Sequence, residues 1–247
     1  MQTLEGRHAL VTGGGTGVGA AIALALASEG ASVVICGRRM AALEEVASQN
    51  RAIRALAADI TDEAAIAALF DASGPLDIVI ANAGIAESAP AKNTSLDQWN
   101  RMIAVNLTGV FLTLREGLRR VSGWGRLITV ASTAGLKGYP YVSAYCAAKH
   151  GAVGLTRALA QETAGTGVTV NALCPGYVET PMLEASIGRI MRKTGRGEAE
   201  ARAMLTASNP SGRLVQPAEV AAAALWLCGP GSDMINGQAI AIAGGEI

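Results

Sequence analysis

A tyrosine and a lysine one helical turn apart are the residues of this chain best suited to acid–base chemistry. Tyr145 and Lys149 are four positions apart, so on a helix their side chains project from the same face. An ammonium beside a phenol favours the phenolate, and a phenol so tuned can exchange a proton with a carbonyl or alcohol oxygen. Ser132 ends an apolar run typical of a buried strand, and its hydroxyl could bind the same oxygen. The spacing alone leaves open an ordinary surface Tyr and Lys.

A glycine-rich turn near the start of the chain predicts a dinucleotide site. Gly13, Gly17 and Gly19 lie between an expected strand over residues 8–12 and an expected helix over residues 20–28. Glycines at such a position allow a tight turn and let the backbone approach a pyrophosphate, whose charge a helix N-terminus favours. The glycine spacing is a variant of the common fingerprint. A merely structural turn is the alternative.

The residues after the second expected strand bear on the choice between NAD and NADP. An acidic residue about 20 positions after the loop would hold the ribose 2′-hydroxyl of NAD. This chain has Gly37, Arg38 and Arg39 there instead. No carboxylate repels a 2′-phosphate, and the Arg38 guanidinium could bind it through two hydrogen bonds. We therefore expect NADP(H) to be favoured, with NAD(H) possible if Arg38 only stacks on adenine or points to solvent.

Apolar runs alternate with helical stretches along the chain. The expected strands begin near residues 8, 32, 52, 76, 125, 167 and 238, and they are apolar almost throughout. Such strands are typical of a parallel sheet buried on both faces. A long helix is expected from Ser95 through Asn106 to Leu118, and the helix that carries Tyr145 within residues 142–165. We find no repeat or linker, so we expect one domain over residues 1–247.

Composition argues against several classes of partner. Basic and acidic residues number 20 each, which disfavours nucleic acid or an anionic membrane as the main partner. Apolar residues make up 50% of the chain, so other subunits are expected to cover some surface. The four scattered cysteines are typical of core residues in a reducing compartment, and no metal site is expected. The first residues lack the layout of a signal peptide, and no apolar run approaches the length of a membrane helix. We expect a cytoplasmic protein.

Taken in order, these motifs resemble those of the short-chain dehydrogenases/reductases over nearly the whole chain. The likeness rests on the glycine loop, Asn82-Ala83-Gly84, Asn106, Ser132, Tyr145, Lys149, Pro175-Gly176 and Thr180-Pro181-Met182. It implies an α/β Rossmann fold: a doubly wound, seven-stranded parallel sheet in the order 3-2-1-4-5-6-7, with helices on both faces. It also implies an oxidoreductase that interconverts a ketone and a secondary alcohol with NADP or NAD, and a homotetramer.

The resemblance implies a role for each matching residue. Tyr145 would be the acid/base, Lys149 would lower its pKa and hold the nicotinamide ribose, and Ser132 would orient the substrate oxygen. Asn106 would hold a water that relays protons from Lys149 to solvent. Asp59 would bind the adenine amino group. The expected dinucleotide contacts are Gly13, Gly15, Thr16, Gly17, Val18, Gly19, Arg38, Asp59, Ile60, Asn82, Ala83, Gly84, Tyr145, Lys149, Pro175, Gly176, Val178 and Thr180.

Two positions depart from the family pattern. Ala81 stands where an asparagine is usual before Asn82, and Ala243 stands where many members have an aspartate. Neither residue is expected to touch the chemistry, but both could alter local structure or subunit contacts. Residues 82–84 would line the adenine ribose, and residues 175–180 would cover the nicotinamide.

The substrate pocket is expected to be apolar and partly aromatic, which suits a hydrophobic ketone or alcohol. Its predicted lining is Ala134, Tyr139, Tyr141, Tyr177, Met182 and Leu183. Residues 170–182 and 212–220 are similar to those of β-ketoacyl-thioester and polyketide ketoreductases, which favours a 3-oxoacyl or 3-hydroxyacyl thioester. A mobile helical lid is expected over about residues 182–208. Its basic side chains could meet the phosphates of an acyl-CoA, or they could simply be solvated.

Three other functions compete with this interpretation. One is a dehydrogenase of a small, cyclic or aromatic alcohol. Another is a non-catalytic dinucleotide sensor on the same fold, against which the intact Ser132, Tyr145 and Lys149 argue. The third is a lyase-type relative, such as a dehalogenase, that uses Ser132 and Tyr145 without a nucleotide. The glycine loop argues against the third, because it would be superfluous there.

Overall fold

The structure, a computed structural model, describes residues 3–247. The prediction that the first residues lack the layout of a signal peptide includes residues 1 and 2, which lie outside the described part. Seven parallel strands form one sheet in the order β3-β2-β1-β4-β5-β6-β7, which confirms the expected topology. The strands are β1 (His8–Thr12), β2 (Ser32–Gly37), β3 (Ile53–Ala57), β4 (Ile78–Ala81), β5 (Gly125–Val130), β6 (Val168–Pro175) and β7 (Ala239–Ile242).

The strand order reverses at β1, and this reversal fixes where a ligand can bind. β1 pairs with β2 on one side, with His8 opposite Ser32, and with β4 on the other, with Ala9 opposite Ile78. From β1 the chain adds β2 and β3 on one side of the sheet. It then crosses back to β4 on the other side of β1 and adds β5, β6 and β7 in the opposite direction. In such sheets a crevice opens at the carboxyl ends of the strands, and ligands bind there.

Helices cover both faces of the sheet. The helices are α1 (Gly17–Ser28), α2 (Met40–Ala47), α3 (Glu63–Ser73), α4 (Leu96–Ile103), α5 (Gly109–Arg120), α6 (Ser143–Glu162), α7 (Pro181–Thr194), α8 (Glu198–Thr206) and α9 (Pro217–Cys228). Alternate residues of a strand face opposite sides of a sheet, so each strand contributes to two cores. Ala9 and Val11 pack with α1, α2 and α9, whereas Leu10 packs with α3, α5 and α6.

Polar side chains fix several helix starts where the sequence places capping residues. The Asp62 carboxylate accepts hydrogen bonds from the Ala64 and Ala65 amides at 2.9 and 3.1 Å, which begins α3. The Thr180 hydroxyl similarly accepts from the Leu183 amide at the start of α7. These bonds satisfy amides that have no partner inside the helix. Pro217 is the first residue of α9, as predicted.

The long helix expected from Ser95 to Leu118 is present as a run of helical residues, but its geometry is not α-helical throughout. α4 and α5 are separated by a π-helical segment over residues 104–108, and Asn106 lies within it. A π-helical turn contains about one residue more than an α-helical turn, and such π-bulges are frequent at functional sites. α1 also differs from the prediction, because it begins at Gly17 rather than at residue 20.

The segment predicted as a lid is helical and has a small apolar core of its own. α7 and α8 pack together through Leu183, Ile187, Ala201 and Leu205, with Leu214 completing the cluster. This cluster is separate from the two cores that flank the sheet. Among residues 3–247, no helix is long and apolar enough to span a bilayer. The same residues contain no group of three or more His, Cys, Asp and Glu side chains arranged to hold a metal ion.

Candidate active site

The glycine loop between β1 and α1 is compressed against the end of β4. Gly13 and Gly17 have φ angles of 67° and 56°, a conformation that favours glycine. A Cβ atom at Gly19 would lie 2.3 Å from the Gly13 carbonyl oxygen and 2.4 Å from the Asn82 Nδ2 atom. A side chain at position 19 would therefore displace the loop. The bare backbone at the start of α1 suits a pyrophosphate, so this loop fits a dinucleotide.

Asn82 holds the shape of that loop. Its Nδ2 atom donates to the Thr12 and Gly13 carbonyl oxygens at 2.8 and 3.2 Å. The buried Thr12 hydroxyl accepts from the Asn82 and Ala83 amides at 3.0 and 3.1 Å. Asn82 lines the cavity, but its side-chain amide is bonded to the glycine loop. Thr12 was not among the predicted site residues, although a polar side chain at the end of an apolar strand is a signal for such a role.

An arginine and an aspartate lie at the adenine end of the predicted site. Arg38 is exposed and forms no hydrogen bond or ion pair with other residues in the range 3–247. One carboxylate oxygen of Asp59 accepts from the Thr61 amide and hydroxyl at 2.9 and 2.7 Å. These bonds, together with the nearby charge of Arg38, lower the pKa of the Asp59 carboxyl. The guanidinium is thus available to an anionic ligand.

Ser132, Tyr145 and Lys149 converge where β5 ends and α6 begins. The Ser132 hydroxyl accepts from the Ala134 amide at 3.1 Å and also hydrogen-bonds with Tyr145. The Lys149 side chain is only 3% exposed. Its ammonium donates to the Val130 carbonyl oxygen at 2.9 Å and lies 5.7 Å from the centre of the Tyr145 ring. The two side chains therefore share one face of α6, as their spacing predicted.

The electrostatics of this group differ from the expectation. Burial raises the pKa of the Tyr145 phenol to about 12, although the hydrogen bond with Ser132 acts in the opposite direction. Burial also lowers the pKa of Lys149 to about 8. The expected lowering of the phenol pKa by the ammonium is absent from this structure. The physical reason is that desolvation outweighs an ammonium whose hydrogen bond is directed at a main-chain carbonyl.

Asn106 ties the π-helical segment to the chain that follows β4. Its Nδ2 atom donates to the Ile85 and Met102 carbonyl oxygens at 3.0 and 3.1 Å, and its Oδ1 atom accepts from the Ile85 amide at 3.2 Å. A Cβ atom at Gly84 would lie 2.8 Å from that Oδ1 and 3.7 Å from the Lys149 ammonium. Asn106 therefore lies next to the lysine, as its predicted relay role requires. The relay itself stays a prediction.

One cavity of about 1010 Å³ connects all these groups. Every residue predicted for catalysis, dinucleotide binding or substrate binding lines it. Its volume is at the upper end of the range for ligand pockets, so it has room for a dinucleotide and a second molecule. Residues 85–90 form a part of its wall for which no role was predicted, whereas Ser186, Arg189, Lys193 and Met204 line it from the segment predicted as a lid.

The aromatic end of the cavity is less apolar than predicted. The Tyr139 and Tyr177 rings meet edge to face, with centroids 6.5 Å apart. The Tyr139 hydroxyl lies 2.8 Å from the Thr133 hydroxyl and 2.6 Å from a carboxylate oxygen of Glu246. No role was predicted for Glu246 from the sequence. Tyr141, also predicted to line the pocket, has a φ of 69° that is unusual for a residue with a side chain.

Comparison with known proteins decides the family. The model of the short chain dehydrogenase family matches residues 7–188. The chain belongs to the short-chain dehydrogenases. D-beta-hydroxybutyrate dehydrogenase of Cupriavidus necator is 39% identical to it, and the match covers 99% of each chain. This short-chain dehydrogenase is accordingly an oxidoreductase that interconverts carbonyl and alcohol groups with a nicotinamide dinucleotide.

Two solved structures show the same architecture. A single-residue variant of actinorhodin polyketide ketoreductase, solved with NADPH, has a TM-score of 0.91 and 36% identity, covering 100% of this chain and 99% of that one. The 3-ketoacyl-(acyl-carrier-protein) reductase from Brucella melitensis, complexed with NADH, has a TM-score of 0.87 and 34% identity over 98% of this chain and 99% of that one. The Rossmann fold expected for this short-chain dehydrogenase is thereby confirmed.

Proposed function

We propose that this short-chain dehydrogenase is a ketoreductase that favours NADPH and reduces a 3-oxoacyl thioester to its 3-hydroxy partner. The observation that carries the proposal is the convergence of Ser132, Tyr145 and Lys149 on a cavity that also contains the glycine loop and Arg38. Two compared structures, a polyketide ketoreductase and a ketoacyl reductase, support the substrate class, and the first of them, solved with NADPH, supports the cofactor. The unpaired Arg38 guanidinium favours the 2′-phosphate of NADPH.

The protein's own contribution to the reaction is one positioned proton. A bound reduced nicotinamide supplies the hydride chemistry. The hydroxyls of Ser132 and Tyr145 hold the substrate carbonyl oxygen by hydrogen bonds, and the Tyr145 O–H bond breaks as its proton passes to the developing alkoxide. A phenol with a pKa of about 12 is protonated at neutral pH and is a stronger acid than an aliphatic alcohol. The phenol of the resting site therefore carries the proton that carbonyl reduction requires.

Lys149 keeps its charge in the neutral range. Its pKa of about 8 leaves the ammonium mostly protonated near pH 7. The hydrogen bond to the Val130 carbonyl fixes its position beside the Tyr145 ring, while Asn106 lies close by. We propose that the ammonium stabilises the phenolate after proton transfer, and that Asn106 holds the water through which the proton is replaced.

Two cations on α7 support an anionic substrate. Arg189 and Lys193 line the cavity and donate to the Ala86 and Ser88 carbonyl oxygens at 3.3 and 3.4 Å. Neither forms an ion pair with the other residues of the range 3–247. Arg202, also in the lid, is by contrast neutralised by Glu179, Glu184 and Glu198. Uncompensated charge at the cavity suits the phosphates of a thioester carrier better than a neutral cyclic or aromatic alcohol.

The wider organisation of the protein is part of the same proposal. We infer one domain over residues 1–247, with α7 and α8 forming a lid that moves as a unit because they share an apolar core. Exposed Leu96 and Phe111 on α4 and α5, with Trp226 on α9, support self-association into a homotetramer. The four free, buried cysteines fit a cytoplasmic location, since that compartment keeps thiols reduced.

The test compares two thioesters with the same acyl group. Acetoacetyl-CoA carries phosphates, and the N-acetylcysteamine thioester of acetoacetate does not. Oxidation of NADPH and of NADH is followed by absorbance with both substrates and with a neutral cyclic ketone. We expect reduction of both thioesters with NADPH. Turnover of the cyclic ketone alone would contradict the substrate class, and no turnover of any carbonyl would contradict the proposed function.

A variant pair tests the lid cations in the same assay. Arg189→Gln removes a charge that lines the cavity, and Arg192→Gln removes one from the same helix outside the cavity lining. Loss of a charge-assisted hydrogen bond is worth about 1.5–3 kcal/mol. Arg189→Gln should therefore raise the KM of acetoacetyl-CoA by about tenfold or more and leave that of the short thioester unchanged. Equal effects of the two substitutions would contradict the role given to Arg189.

A further inference from the structure

A buried carboxylate lies directly behind the substrate wall. The Glu246 side chain is 2% exposed, although it follows the last strand and belongs to no helix. Its Oε1 atom accepts a hydrogen bond from the Tyr139 hydroxyl at 2.6 Å and forms an ion pair with the Lys137 ammonium at 3.1 Å. Lys137 also donates to the Glu246 main-chain carbonyl at 3.4 Å. A buried charge with a cation and a hydroxyl as partners is compensated.

The chain after β7 is shaped to deliver this carboxylate. Gly244 and Gly245 have φ angles of 58° and 92°, and they turn the chain back toward the cavity. A Cβ atom at Gly244 would lie 2.3 Å from the Asn209 Oδ1 atom, so the turn also packs against the end of the lid segment. A Cβ atom at Gly176 would lie 3.3 Å from the second Glu246 carboxylate oxygen. Backbone without a side chain therefore lies against the Glu246 carboxylate at Gly176.

Tyr139 is held from several directions, and Glu246 supplies the only charged partner of its hydroxyl within residues 3–247. The Thr133 hydroxyl is its second partner, the Lys137 ammonium lies 5.0 Å from the ring centre, and Tyr177 meets the ring edge to face. Tyr139 and Tyr177 line the cavity, whereas Glu246 does not. The hydrogen bond that links Glu246 to a side chain of the cavity wall is therefore the one from Tyr139.

We infer that Glu246 is a positioning residue that fixes Tyr139 against Tyr177 and thereby sets the width of the acyl-chain pocket. The inference rests on the proposed carbonyl reduction and adds a determinant of substrate size. With the hydroxyl anchored, the ring has one position, and an acyl chain must fit beside it. Without the anchor, the ring can rotate about its side-chain bonds, and the pocket can admit longer chains.

The experiment measures selectivity between a short and a long 3-oxoacyl thioester, using full-length protein with NADPH. Glu246→Ala removes the anchor, Tyr139→Phe keeps the ring but removes the hydroxyl, and Glu246→Gln keeps an oxygen that can accept from Tyr139. We expect the first two to raise the ratio of kcat/KM for the long over the short substrate by about tenfold. The double variant should show no further change, and Glu246→Gln should stay near wild type.

The control and the contrary outcomes separate positioning from a general structural role. Glu162→Ala removes an exposed carboxylate at the end of α6 and should leave the ratio unchanged. The KM for NADPH should also stay constant in the Glu246 and Tyr139 variants, because neither residue was assigned to the dinucleotide. The inference would be overturned by an active variant with an unchanged selectivity ratio. It would also be overturned if the KM for NADPH rose as much as the KM for the thioester.

Two further results are decisive. If Glu246→Ala does not fold, Tyr139→Phe decides the question, because it deletes only the hydroxyl oxygen that Glu246 anchors and keeps the aromatic ring. A wild-type protein that reduces no carbonyl compound would refute the proposed function together with this inference. An active wild type whose Tyr139→Phe variant keeps the same selectivity would refute the inference alone.

Discussion

Replacing Lys149 by methionine separates what the buried ammonium does for turnover from what it does to stability. The side chain is 3% exposed, and burial lowers its pKa from 10.5 to about 8. Methionine has a similar length and no charge, so it can fill the same space beside Tyr145. It cannot donate to the Val130 carbonyl oxygen, which the ammonium contacts at 2.9 Å.

Two opposing effects determine the stability of the variant. At neutral pH the lysine is protonated in both the folded and unfolded states, and its pKa difference costs the folded state about 3 kcal/mol. The substitution removes this cost but leaves the Val130 carbonyl without its donor, a loss of about 1–3 kcal/mol. The free energy of unfolding of Lys149→Met should therefore lie within about 2 kcal/mol of wild type near neutral pH.

The pH dependence distinguishes this account from a simple packing effect. Between the folded pKa of about 8 and the ordinary 10.5, the unfolded chain binds more protons at Lys149 than the folded chain. The contribution of Lys149 to wild-type stability should therefore rise with pH across this window, and the variant lacks that contribution. From about pH 7 to about pH 9.5, the stability of wild type relative to the variant should increase by about 2 kcal/mol. Cys174 beside it has a pKa raised to about 11 and stays neutral there in the fold.

Urea unfolding of both proteins at the two pH values measures the difference, because titrations common to both proteins cancel. Turnover should fall strongly in the same variant, while the folded fraction near neutral pH stays high. A stability difference that does not change between the two pH values would show that Lys149 has an ordinary pKa. That result would refute the reasoning about burial.

The remaining predictions concern the dinucleotide. Arg38→Ala should raise the KM for NADPH about tenfold or more and leave that for NADH unchanged, because only NADPH has a 2′-phosphate. Steady-state kinetics with both cofactors measures this, and an equal change for both would contradict the assignment. Gly19→Ala should abolish NADPH binding in a fluorescence titration, since its Cβ would lie 2.3 Å from the Gly13 carbonyl oxygen. Gly154→Ala, where an added Cβ meets no atom within 4 Å, is the matched control, and normal binding by the Gly19 variant would contradict the steric argument.

Much of the fold could be predicted because apolar runs and capping residues are local signals. The strand order followed from the resemblance, and the start of α9 followed from Pro217. The π-helical segment between α4 and α5 could not be predicted from periodicity. Asn106 bonds to Ile85, which is 21 positions away, and no local pattern shows such a contact.

The motifs identified the residues of the site, but they did not determine its electrostatics. The spacing of Tyr145 and Lys149 predicted their shared face, and the structure confirmed it. The same spacing predicted a lowered phenol pKa, and this prediction was wrong. Spacing along a helix says nothing about how deeply the pair is buried. Glu246 was missed for a similar reason. Its contact with Tyr139 spans 107 positions and depends on a turn at two glycines.

The central claim is that Tyr145 donates the proton that completes carbonyl reduction. A single-turnover experiment tests it most directly: Tyr145→Phe protein is first saturated with NADPH, as shown by nucleotide fluorescence, and then mixed with acetoacetyl-CoA. The account predicts normal NADPH binding and a rate of NADPH oxidation lower than wild type by about 10²-fold or more. Oxidation at the wild-type rate by the variant would contradict the claim.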